Sequence, residues 1–109
     1  MTSSMLTPGE LGRRTGVDAR AVQPIGELEW RTRATIEGKI RSLRVQPWAD
    51  VASLECVLVD DTGGVLLVFL GRRKVAGIEL GRRLRCEGMV GEQRGYLAIL
   101  CPDYELLAS

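Results

Sequence analysis

One stretch near the middle of the chain constrains the fold more than any other. From Arg33 to Arg41 the sequence alternates strictly, with Ala34, Ile36, Gly38 and Ile40 on one side and Arg33, Thr35, Glu37, Lys39 and Arg41 on the other. A period of two is that of a strand with one face buried and one in water. A helix would scatter the same apolar positions around its axis. Gly38, at the centre of the apolar face, signals sharp curvature or a bulge.

Further short strands follow at even spacing. Val51 to Val59 reads as a second strand with Ala52, Leu54, Cys56 and Leu58 facing in, and Pro47 lies in the loop before it. Asp60-Asp61-Thr62-Gly63-Gly64 is a strong hairpin turn, since its glycines take positive φ freely. The third strand, Val65 to Leu70, is apolar on both faces; either Leu66, Val68 and Leu70 or Val65, Leu67 and Phe69 point outward. Gly71 to Gly77 is a connector with one helical turn. A fourth strand, Arg82 to Val90, turns Leu84, Cys86, Gly88 and Val90 inward. After a hairpin loop at Gly91 to Gly95, a fifth strand runs from Tyr96 to Cys101 and stops at Pro102, before a polar tail. Residues 1–24 stand apart as an appendage, in which Thr7, Pro8 and Glu10 carry a helix-start signature that Gly12 and Gly16 cut short.

With 109 residues the chain makes one domain, here expected over residues 25–109. An open five-stranded sheet of this length leaves two edges and a face in water, and closure avoids that. A long, bent first strand pairs with both the second and the fourth. The expected fold is therefore all-β, a five-stranded Greek-key barrel of the OB-fold type, with a short helical turn between strands three and four. The strings Ile36-Glu37-Gly38-Lys39-Ile40, Leu58 to Phe69 and Ile78 to Gly88 also resemble small stand-alone bacterial OB-fold nucleic-acid-binding proteins. They are similar to RecG-type wedge domains and anticodon-binding OB domains. The resemblance implies a barrel over roughly residues 25–105 and a binding face on strands two and three.

Several functions are excluded by what the sequence lacks. It has no histidine, so no Ser-His or Cys-His dyad and no His-containing zinc site can form. Cys56, Cys86 and Cys101 lie too far apart for a metal-ligand pattern and read as buried, reduced thiols. Gly63-Gly64 and Gly71-Arg72-Arg73-Lys74 lack phosphate-loop spacing. Asp60-Asp61 is turn chemistry rather than a catalytic pair. No enzyme, cofactor, metal or small-molecule substrate is expected. The start, MTSSML, has no signal-peptide pattern, and Val65 to Leu70 is too short an apolar run to span a bilayer. The expected location is the cytoplasm, away from membranes.

The net charge of +1 conceals a strong asymmetry. Between Asp50 and Asp61 there are acids and no cation, whereas Arg72, Arg73, Lys74, Arg82, Arg83 and Arg85 face a single acid, Glu79. The candidate nucleic-acid contacts are Arg33, Lys39, Arg41, Arg44, Arg72, Arg73, Lys74, Arg83, Arg85 and Arg94, with Trp48, Phe69 and Tyr96 as stacking surfaces. Such a module binds single-stranded DNA or RNA without reading sequence. About five phosphate contacts give a log–log salt slope near −3.5. The bland alternative for these cations is an ordinary solvated surface. The alternative function is a protein-interaction or self-associating OB module, a homo-oligomer joined through Val57, Val59, Leu66 and Val68.

Overall fold

The computed structural model describes residues 21–48 and 50–108, the side chain of Trp48 excepted. The helix-start signature at Thr7 to Glu10 lies outside these residues. Six strands are present: β1 (Arg33–Trp48), β2 (Val51–Val59), β3 (Gly64–Leu70), β4 (Arg83–Gln93), β5 (Tyr96–Leu100) and β6 (Asp103–Leu106). The sheet runs β1-β2-β3-β5-β4-β6, and an additional β1–β4 pairing closes the ring. All neighbours are antiparallel except β3 and β5.

Closure depends on β1 serving two partners. Its first half pairs with β4 and its second half with β2, and Lys39 is opposite Val59 on one edge and Arg83 on the other. Gly38 permits the crossing, since a Cβ there would lie 2.5 Å from the Val59 carbonyl oxygen. Just beyond, Arg41 is the extra residue of a bulge between Ile40 and Ser42. The bulge turns the strand without breaking it. β1 therefore continues through Pro47 to Trp48, where the sequence pattern places a loop.

The inward positions of every strand meet in one core. Ile36, Leu58, Leu67, Leu84, Cys86 and Ile99 are fully buried. Burying each such aliphatic contributes about 1.5–3 kcal/mol. The open question of register in β3 resolves with Val65, Leu67 and Phe69 inward, opposite Leu58, Cys56 and Leu54. A 3-10 turn at Ile25–Glu27 adds Ile25 to the core. It is tied to the β2–β3 turn by Ile25 N–H donating to Asp60 Oδ2 at 2.9 Å. The same carboxylate accepts from Thr62 N–H, Thr62 Oγ1 and Gly63 N–H through Oδ1.

Two further expectations are corrected. The β3–β4 connector contains turns and bends but no helical turn; Val75 and Ile78 anchor it by burial. The chain also does not leave the sheet at Pro102. β5 pairs with β4 in the register Val90↔Ile99, and β6 pairs with it in the register Cys86↔Tyr104. Those registers differ by one residue, which is absorbed where Cys101 takes φ +47°. Pro102 costs no sheet hydrogen bond because it sits in this irregularity. The shift brings Tyr104 and Leu106 against the core, where Tyr104 meets Phe69 edge-on at 5.9 Å.

Candidate nucleic-acid interface

The outward side of β2 and β3 forms a shallow groove with an apolar floor. Val57 lies opposite Leu66, and Leu66 lies beside Ala98 on β5. A hollow of about 400 Å³ opens here, lined by Arg41, Arg44, Val57, Leu66, Arg94 and Tyr96 among others. The β1 bulge sets Arg41 on one wall. The opposite wall is built by the β4–β5 turn, where Arg94 and Gly95 both have positive φ (53° and 84°) between the paired Gln93 and Tyr96. That is the backbone of a two-residue hairpin turn whose twist matches its strands. Tyr96 follows with its ring 69% exposed. Cations around an apolar floor with an exposed aromatic can bind a phosphate backbone and stack a base.

One acid belongs to this groove. Glu55 Oε1 accepts from Arg94 Nη2 at 2.8 Å and lies 3.8 Å from Arg44 Nε. In the sequence the acid counts only among those between Asp50 and Asp61 that border the hairpin. Its partners are not legible there.

The remaining cations are distributed differently. On the outer face of β1 and β4, Arg33 pairs with Glu87 at 3.2 Å, and Arg85 bridges Glu37 at 2.7 Å and Glu105 at 3.4 Å. Arg72, Arg73 and Lys74 are exposed on the β3–β4 connector and form no ion pair among the described residues. Lys39 and Arg83, directly opposed across β1 and β4, line a larger hollow of about 550 Å³ with Asp60, Asp61 and Thr62. Its charge is mixed, and Asp60 is committed to backbone donors. The smaller, arginine-walled groove is the better candidate.

Phe69 is corrected as a stacking surface: it points into the barrel, 6% exposed. Trp48 has its backbone paired to Val51, and its side chain lies outside the described residues. Val57, Val59 and Leu66 are half-buried. Val68 has outward parity yet is fully buried, so it presents no open surface. Exposed apolar groups instead include Leu70, Leu100, Met89 and Trp30, the last under the Arg31 guanidinium at 4.2 Å.

Burial pushes the Cys56 and Cys86 thiols up to about 12, so both stay protonated at neutral pH. Cys101 is exposed, against expectation, because it occupies the irregularity between β5 and β6. Among the described residues no group of three potential metal ligands occurs, and no helix is long and apolar enough to cross a membrane.

No family model and no curated protein matches the chain. Solved structures do. A replication factor A related protein from Methanobacterium thermoautotrophicum is similar over 79% of this chain and 90% of its own, with 18% identity and a TM-score of 0.58. An OB domain from Methanosarcina mazei is similar over 81% of this chain and 84% of its own, with 16% identity and a TM-score of 0.62. At such identities the likeness concerns the fold. With the shared, bent β1, the parallel β3–β5 pair and the closed ring, the architecture is that of an OB-fold barrel.

Proposed function

We propose that this protein is a non-catalytic OB-fold module that binds single-stranded nucleic acid, DNA or RNA, across the outer face of β2 and β3. The observation that carries this proposal is the groove: an apolar floor at Val57 and Leu66 between Arg41 and Arg44 on one wall and Arg94 and Tyr96 on the other. Arg72, Arg73 and Lys74 extend the basic surface along the connector. Binding is sequence-tolerant, since phosphates and any base face satisfy these groups. The likeness of one structural neighbour, a replication factor A related protein, agrees with this role. We place the protein in the cytoplasm.

Titration of labelled single-stranded DNA and RNA at increasing salt tests the proposal. Three arginine–phosphate contacts give a log–log slope near −2 on a single strand. Absence of binding at low salt would refute it.

A second role, self-association or contact with another protein, is favoured by exposed Leu70, Leu100 and Met89 on the outward side of the sheet. It requires a species larger than a monomer in sedimentation, or a complex, that Leu100→Glu dissolves.

A further inference from the structure

Glu55 is the one charged side chain that is fully buried among the described residues. It alternates outward on β2, opposite Arg44 on β1 and Val68 on β3. Arg94 comes to it from the β4–β5 turn and Arg44 from β1, so two arginines from opposite walls converge on one oxygen. Together they bridge the groove. Oriented with its oxygen toward the Arg44 guanidinium, the Gln46 amide accepts from it at 2.9 Å and steadies that end of the bridge.

The bridge is not a saturated structural clamp. Glu55 Oε2 is buried with no hydrogen-bond partner, and the neighbouring outward Ser53 Oγ is likewise unpartnered. A buried carboxylate with one oxygen unsatisfied is costly to keep. It also places a negative charge directly beneath Arg94, where a phosphate entering the groove would make its contact. The same guanidinium hydrogen atoms cannot serve both anions at once.

Resting on the single-strand proposal above, we infer that Glu55 is an internal competitor for the nucleic-acid backbone. Arg94, and secondarily Arg44, are held by its carboxylate in the free protein and exchange it for phosphate in the complex. No covalent bond changes; one ion pair replaces another. The exchange makes Glu55 a specificity-determining residue. An isolated phosphate must displace the carboxylate alone, whereas a strand already held by Arg41 and Tyr96 delivers the next phosphate at high effective concentration. The groove therefore favours a polymer over a mononucleotide.

Glu55→Gln keeps the shape and removes the competing charge. Anisotropy of a labelled oligothymidylate should show the variant binding about tenfold tighter at low salt, the scale of one charge-assisted hydrogen bond. Its salt slope should match that of the native protein, since the same arginines reach phosphate in both complexes. Equal or weaker binding by the variant overturns the inference while leaving the single-strand proposal intact. Binding by neither protein at any salt refutes both, and binding by the variant alone overturns the inference too, because Glu55 would then block the arginines rather than exchange them. Should Glu55→Gln fail to fold, the ¹³C carboxyl resonance of Glu55 in the native protein decides: it should move on oligomer titration, and a stationary signal beside shifting Tyr96 signals overturns the exchange.

Discussion

On the β4 side of the barrel, Arg85 sits between Glu37 and Glu105, and Arg33 sits beside Glu87. On the β2 side, Arg41, Arg44 and Arg94 stand around an apolar hollow with Glu55 as their one acid. In this set three carboxylates hold two guanidinium groups, and those cations fasten neighbouring strands to one another. The second has charge to spare. A run of basic residues in a sequence therefore says little about available charge until register decides which acids lie opposite. Here the densest basic segment supplies Arg85 to the fastened surface, while the open one is assembled from cations scattered between Arg41 and Arg94.

Mutation can break this contrast. Arg41→Ala with Arg44→Ala should weaken single-strand binding on the order of thirtyfold at low salt and flatten the salt slope by about 1.4. Arg33→Ala with Arg85→Ala, measured in the same anisotropy titration, should change affinity by less than about threefold. Equal losses from both pairs would erase the distinction.

Tyr96→Ala sharpens it next. Loss of one stacked base costs roughly 1–3 kcal/mol of binding, and because the ring is 69% exposed, thermal stability should hold.

Stability is expected to invert the order. Arg85→Ala removes a guanidinium only 17% exposed that joins β1, β4 and β6, and should lower unfolding free energy by about 1–2 kcal/mol in denaturant titration. Arg33→Ala, at a pair exposed to water, should cost under about 0.5 kcal/mol.

The smallest effect concerns pH. Burial pushes the Asp60 carboxyl upward, but the hydrogen bonds from Ile25, Thr62 and Gly63 outweigh it and hold the group below its ordinary value. A lowered folded value stabilises the protein fully above the unfolded carboxyl's range, near pH 4, and that stability is lost as pH falls through the folded value. Asp60→Asn should therefore flatten the acid limb of stability measured between neutral pH and pH about 3, with little change in nucleic-acid affinity.

Much of the barrel was legible in the chain. Alternation in β1, β2 and β4 gave the inward faces, and the Asp60 to Gly64 turn carried its own chemistry. Two of the misreadings share one cause: each lies where a strand departs from regular pairing. The Arg41 bulge carries β1 past Pro47, and the irregularity at Cys101 carries the chain past Pro102 into β6; neither is encoded by local propensity. For the groove, Arg44, Arg94 and Tyr96 were readable as residues flanking the expected face, whereas Arg41 read as part of the β1–β4 surface until the bulge set it at the groove. Glu55 counted only among the acids bordering the hairpin, because its capture by Arg94 depends on a contact across 39 positions of sequence. Phe69 was misplaced because a strand apolar on both faces has no alternation to fix its register.

The one-residue offset between β5 and β6 makes this part of the chain a matter of counting. The ends of strands commonly tolerate a lost or gained residue. Between Ile99 and Tyr104 they should not, since removing one position would turn Asp103 and Glu105 toward the core in place of Tyr104 and Leu106. Many substitutions at the exposed Cys101 side chain, above all glycine or asparagine at its positive φ, are then easier to accept than its deletion. Here length is inherited more strictly than identity.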